Sequence, residues 1–159
     1  MSEPGAPEPA PRGASLERSR EEVLAAAQPL PPHEDMMIED LTDEEERIFV
    51  EGRAALVSFV TVAELRFAAR LAACGPQRLR RLDRELERAE TIWPGPELID
   101  AYVALRCWCV RAGHALGQKD HEADRWVAAT AMWLGVPVVA HDAIFANVDG
   151  LNLLTKLDL

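Results

Sequence analysis

Three carboxylates in this chain stand where acids do chemistry. Glu64 follows the apolar run Ala54 to Val60, Asp142 lies just past the apolar run Val136 to Ala140, and Asp124 opens the small and apolar stretch "ADRWVAATA". In an open parallel sheet, ligands sit beyond the carboxyl ends of the strands, where the following segments begin. Three carboxylates gathered there repel one another and raise their own pKa values unless a cation is present. Mg²⁺ or Mn²⁺ answers that need, being hard ions that take oxygen ligands and keep several waters. A site of this kind activates water against a phosphodiester and stabilises the charge that develops.

Each acid also has a local explanation that stays open. Thr61-x-x-Glu64 fits a capping box, Asp142 fits a turn closed by its own side chain, and Asp124 fits a favourable acidic first turn. Ala128 and Ala131 follow Asp124 at i+4 and i+7 and leave its face of the helix nearly smooth. That lets neighbouring segments approach closely.

The elements that must position these acids alternate in kind. Ala54 to Val60 is a continuous apolar run suited to a strand buried on both faces. Thr61 is expected to start a helix that Gly75-Pro76 stops. A second helix runs from Pro76 to about Glu90, with Leu79, Leu82 and Leu86 on an otherwise charged cylinder. "TIW" before Pro94 reads as a short strand, and Pro96 to Gly113 as a helix with Pro at its first position. After the polar loop "HALGQKDHEA", a helix is expected from Asp124 to Gly135, then the strand "VPVVA" and a closing strand "LNLLT". Strands alternating with helices indicate an α/β domain with a mainly parallel central sheet.

The head of the chain differs. Residues 1–33 are rich in Pro, Ala and Glu and read as disordered, with one helical turn near Glu21–Ala27. Residues 34–52 form an acidic connection in which Thr42-x-x-Glu45 could cap a short helix. The domain proper is expected over 53–159. Of the net charge of −10, residues 1–50 hold 13 acids and four bases, so the body is nearly neutral and a nucleic-acid partner is not excluded. The run Trp126 to Ala140, broken by Gly135 and Pro137, falls short of the roughly 20 residues of a membrane span. No basic segment followed by an apolar stretch opens the chain, so a cytoplasmic location is expected. Three cysteines, with Cys107 and Cys109 on different sides of a helix, offer no zinc spacing.

Taken together, "VSFVTVAELRFAAR", "ADRWVAATAMWLGVPVVAHDAIF" and "VDGLNLLT" resemble the PIN-domain family, and within it the VapC-type toxins of bacterial toxin–antitoxin pairs. The resemblance covers about residues 53–155. It implies a three-layer α/β fold and Mg²⁺- or Mn²⁺-dependent endonucleolytic cleavage of RNA, with Glu64, Asp124 and Asp142 as metal-binding catalytic acids. It also implies a cognate antitoxin and a homodimer as partners. The family's first element, a central apolar strand ending in a fourth acid, has no clear counterpart here. The nearest substitute is "MMIED", whose Asp40 stands only 24 positions before Glu64. The expectation is therefore a domain with its first strand absent or replaced, and the alternative function is a catalytically inactive remnant that binds an antitoxin or a second copy.

Other constellations carry less. His121 and His141 flank expected ligands but lack a histidine partner at i+4, which leaves them bystanders to an oxygen-rich site. Arg78, Arg80, Arg81, Arg84 and Arg88 read as a solvated face balanced by Asp83, Glu85 and Glu87. A phosphoacceptor domain of response-regulator type would need a phosphorylatable Asp ending a central strand, and none is present.

Overall fold

The computed structural model describes residues 18–26, 56–140 and 142–154. Asp40, the acidic connection, His141 and the end of the closing strand fall outside them. The expected helical turn is helix α1, Arg20–Ala26. It begins on a capping box the sequence spells as Ser19-x-x-Glu22: the Ser19 N–H and Oγ donate to Glu22 Oε2 at 2.7 and 3.0 Å, and the Glu22 N–H returns to Ser19 Oγ at 3.3 Å. Val23 carries this helix into the core, 5% exposed.

Strand β1, Leu56–Ser58, leads directly into helix α2, Phe59–Leu71. The helix therefore starts two residues before Thr61, Ser58 holds the N-cap position without a side-chain bond, and the capping box expected at Thr61 and Glu64 does not form. The cause is tertiary. Phe59 packs stacked on Trp93 and edge-on to Trp126, which draws the last part of the expected strand into the helix.

Helix α3, Pro76–Arg88, leads into strand β2, Glu90–Ile92, which pairs parallel with β1 so that Ser58 stands opposite Ile92. Helix α4, Pro96–Ala112, begins with Pro at its first position, where no N–H is needed. The polar loop after it is ordered as two 3-10 turns, Ala115–Gly117 and Lys119–His121. Helix α5, Glu122–Leu134, starts two residues earlier than expected, which makes Asp124 its third residue. Strand β3, Val138–Val139, a 3-10 turn at Ala143–Phe145, and strand β4, Leu153–Leu154, complete the order. Strands β3 and β4 pair parallel, so the described strands form two separate parallel pairs.

The core lies between α4 and α5. Leu98, Leu105 and Cys109 meet Ala128, Ala129 and Leu134, and each of the buried leucines contributes about 1.5–3 kcal/mol. Ala128 and Ala131 are buried, as the smooth face predicts. α4 and α5 both end on a left-handed glycine, Gly113 and Gly135, each with φ 68°. Gly135 has a second constraint, because a Cβ there would lie 2.6 Å from an Arg20 guanidinium nitrogen. That guanidinium reaches the end of α5, where Arg20 Nε donates to the Leu134 carbonyl at 3.1 Å, while Arg18 pairs with Glu90 at the start of β2. Helix α1 thus ties the beginning of one strand to the end of the central helix.

The Ser19 backbone N–H, then the Ser19 hydroxyl, hold the Glu22 carboxyl below its ordinary range. A lowered folded pKa means that the contribution is complete above the ordinary glutamate range and is lost as pH falls through the folded value. Hydrogen exchange at the Val23 amide is expected to lose protection in that acidic window, and in Glu22→Gln to be less protected already at neutral pH. Protection that stays flat in both would show that the cap does not hold α1.

Candidate functional site

Helix α5 is the common neighbour of the elements that carry the expected acids. It packs against α2, which bears Glu64, and against β1, β3 and the 143–145 turn, which Asp142 begins. Glu64 stands exposed in the second turn of α2. Asp124 is about one-third exposed, and its Oδ2 lies 3.0 Å from Nδ1 of His121, the residue at the helix N-cap. Asp142 Oδ1 accepts the Ile144 N–H at 2.9 Å and so caps the following turn, as its local explanation foresaw. Among the described residues, no three His, Cys, Asp or Glu side chains gather closely enough to hold one metal ion. Chemically the donors are of the right kind, since hard oxygen ligands suit Mg²⁺ and Mn²⁺. Asp124 and Asp142 each keep one oxygen outside these bonds.

What fixes the start of α5 is an arginine. Arg125 is 1% exposed; Nε donates to the Tyr102 hydroxyl at 3.1 Å, and Nη1 donates to the carbonyls of Leu116 and, at 3.0 Å, Gln118. The guanidinium carbon lies 5.3 Å from the Tyr102 ring centroid. One side chain thereby fastens the middle of the loop that delivers Asp124, at Leu116 and Gln118, and ties it to Tyr102 of α4. Burial pushes the neighbouring Cys109 thiol up, and the Arg125 charge partly offsets this. The loop is tied again by His114, whose Nε2 donates to the Ala146 carbonyl at 2.9 Å while Nδ1 accepts the Leu116 N–H at 3.2 Å. That single ring connects the approach to Asp124 with the segment after Asp142.

An aromatic series continues from the same point. Tyr102 stacks on Trp126 at 4.0 Å, Trp126 meets Phe59 at 5.3 Å, and Phe59 stacks on Trp93 at 6.4 Å. The parallel register explains its outer end, because Ser58 opposite Ile92 sets the next residues, Phe59 and Trp93, side by side. The signals in the sequence were slight. Arg125 is the one cation in a run of small and apolar residues, and His121 stands three residues before Asp124, the spacing of an N-cap and its third helical residue.

The PIN domain family profile matches residues 35–151, and the chain belongs to that family. Among curated proteins, none matches this sequence significantly. Among solved structures, the chain is similar to one in VapBC2 from Rickettsia felis bound to a DNA fragment from its promoter, at 23% identity and a TM-score of 0.56, over 63% of this chain and 73% of that one. It is also similar to a chain of DNA-bound VapBC from Salmonella typhimurium (21%, TM-score 0.59, covering 70% and 82%). A third likeness is to VapBC-1 from nontypeable Haemophilus influenzae (22%, TM-score 0.58, covering 75% and 92%). At these identities the likeness is one of fold: α/β, with helices around parallel strands, as expected.

Arg125→Met is expected to lower stability by about 3 kcal/mol, since the Leu116 and Gln118 carbonyls and the Tyr102 hydroxyl lose their buried donor. Arg125→Lys is expected to recover little of it, because one ammonium lacks the planar fork that spans three acceptors. Urea denaturation of both variants checks this; a stable lysine variant would contradict the forked geometry.

Proposed function

We propose that this PIN domain is a Mg²⁺- or Mn²⁺-dependent endoribonuclease, the toxin of a toxin–antitoxin pair. Glu64, Asp124 and Asp142 would hold the metal once drawn closer together than they stand in this structure, with Asp40 as a fourth acid. The observation that supports the reading best is the placement of α5, which carries Asp124 and is packed against both the helix of Glu64 and the turn of Asp142. The bound metal would supply an activated water and stabilise charge on the phosphodiester. The chain's own part is to orient Asp124 through His121, and to hold the loop before it through Arg125.

The partners proposed are RNA, a cognate antitoxin and a second copy of the chain. VapBC complexes are among the solved structures whose fold it shares. Leu65, Phe67 and Leu71 on α2, and Ile99, Val103 and Val110 on α4, are exposed apolar side chains of the kind a protein partner covers. No described helix is long and apolar enough to cross a membrane.

A second reading is a PIN domain that binds its partner without cutting RNA. It is favoured by the occupations the acids already have: Asp124 meets His121 and Asp142 caps a turn, so both have structural uses without metal.

Calorimetry with Mn²⁺ separates the readings. The ribonuclease reading expects binding that is weakened at least about tenfold in Glu64→Gln, a change of about 1.4 kcal/mol. It also expects RNA cleavage, with Mg²⁺ or Mn²⁺ present, that Asp124→Asn abolishes. Acid-independent Mn²⁺ binding and no cleavage would establish the non-catalytic reading instead.

A further inference from the structure

We infer that the solvent face of α3, together with Trp93, forms a track for a single-stranded nucleic acid, the arginines taking phosphates and the indole taking a base; this rests on the ribonuclease reading above. Arg80, Arg84 and Arg88 recur every four residues, with Arg81 beside them, on the side of α3 opposite Leu79, Leu82 and Leu86. Four residues of helix rise about 6 Å, so the three form a row along the helix axis. Arg80, Arg84 and Arg88 are exposed. Arg88 meets Glu85 at 3.4 Å. Unlike the balanced face read from the sequence, α3 leaves Arg80, Arg81 and Arg84 without an ion-pair partner among the described residues, and the complement of such a row is a polyanion.

Trp93 supplies what a purely electrostatic partner would not need. It is 51% exposed at the carboxyl end of β2, yet Phe59 backs it, and behind Phe59 stand Trp126 and Tyr102, the last fixed by Arg125. A flat ring held from behind, between a strand end and Pro94, is a stacking platform for an unpaired base. Helix α3 leads into β2, so the Cα atoms of Arg88 and Trp93, five residues apart, are separated by at most about 17 Å, a span that a few nucleotides of single strand can bridge. A duplex keeps its bases stacked internally and cannot use such a ring; a single strand can.

The two components have different signatures in one titration. The probe is a fluorescein-labelled single-stranded RNA of about 12 nucleotides, a length within ordinary single-strand site sizes. It is bound to the full chain in EDTA at several salt concentrations, and read by anisotropy. Arg80→Gln and Arg84→Gln are expected to weaken binding and to reduce the slope of log K against log salt by about 0.7 each. Trp93→Ala is expected to weaken it about 5- to 100-fold with the slope unchanged, and Trp93→Phe to restore most of the loss. A duplex of the same sequence should not distinguish Trp93→Ala from wild type.

Wild-type affinity in Arg80→Gln, Arg84→Gln and Trp93→Ala overturns the proposal. So does equal competition by polyglutamate with no effect of Trp93→Ala, which would assign the face to an acidic protein. Because the titration is run without metal, it is independent of catalysis: the track can stand with Asp124→Asn still cleaving, and it can fail while cleavage depends on Asp124.

Discussion

A guanidinium buried among carbonyl groups holds the central part of this domain together. Arg125 sits in the second turn's approach of α5, at the seam with α4, and its bonds to Leu116 and Gln118 reach back across the loop joining the two helices. A buried cation is costly unless its donors are satisfied, and among the described residues two main-chain carbonyls and a tyrosine hydroxyl accept from its Nε and Nη1. The position of Asp124 follows from that arrangement, since it is the preceding residue. So does the aromatic series, because Tyr102 is both a partner of the arginine and the inner member of the stack.

Around this seam the strands take a secondary role. Those described are two or three residues long and pair in two parallel sets, β1 with β2 and β3 with β4, while α5 touches β1 and β3. Among the described residues, a helix pair therefore carries the core, with strand pairs laid against it. Helix α1 belongs to the same scheme, because Val23 enters the core and Arg20 closes the end of α5.

How much of this could be read from the sequence depended on whether the cause was local. Pro96 and the left-handed glycines at 113 and 135 set helix ends by backbone geometry alone, and those ends fall where the residues place them. Parallel strands alternating with helices were legible from the apolar runs, although β1, β3 and β4 are shorter than their runs and β2 begins one residue before its own. The start of α2 was not legible, because Phe59 is drawn into the helix by Trp93 and Trp126, residues remote in sequence. The same holds for the site. The types of Glu64, Asp124 and Asp142 were evident, but their distances depend on side chains from three elements. The pairing of Asp124 with His121 gives the histidine a part that its lack of a partner at i+4 does not reveal.

His114 shows a different kind of dependence. In water an imidazole exists as two neutral tautomers and a cation. Only the tautomer with its proton on Nε2 can give a hydrogen bond to Ala146, 32 residues away, while receiving one from Leu116, two residues away. Closing these two loops therefore selects a chemical species as well as a shape.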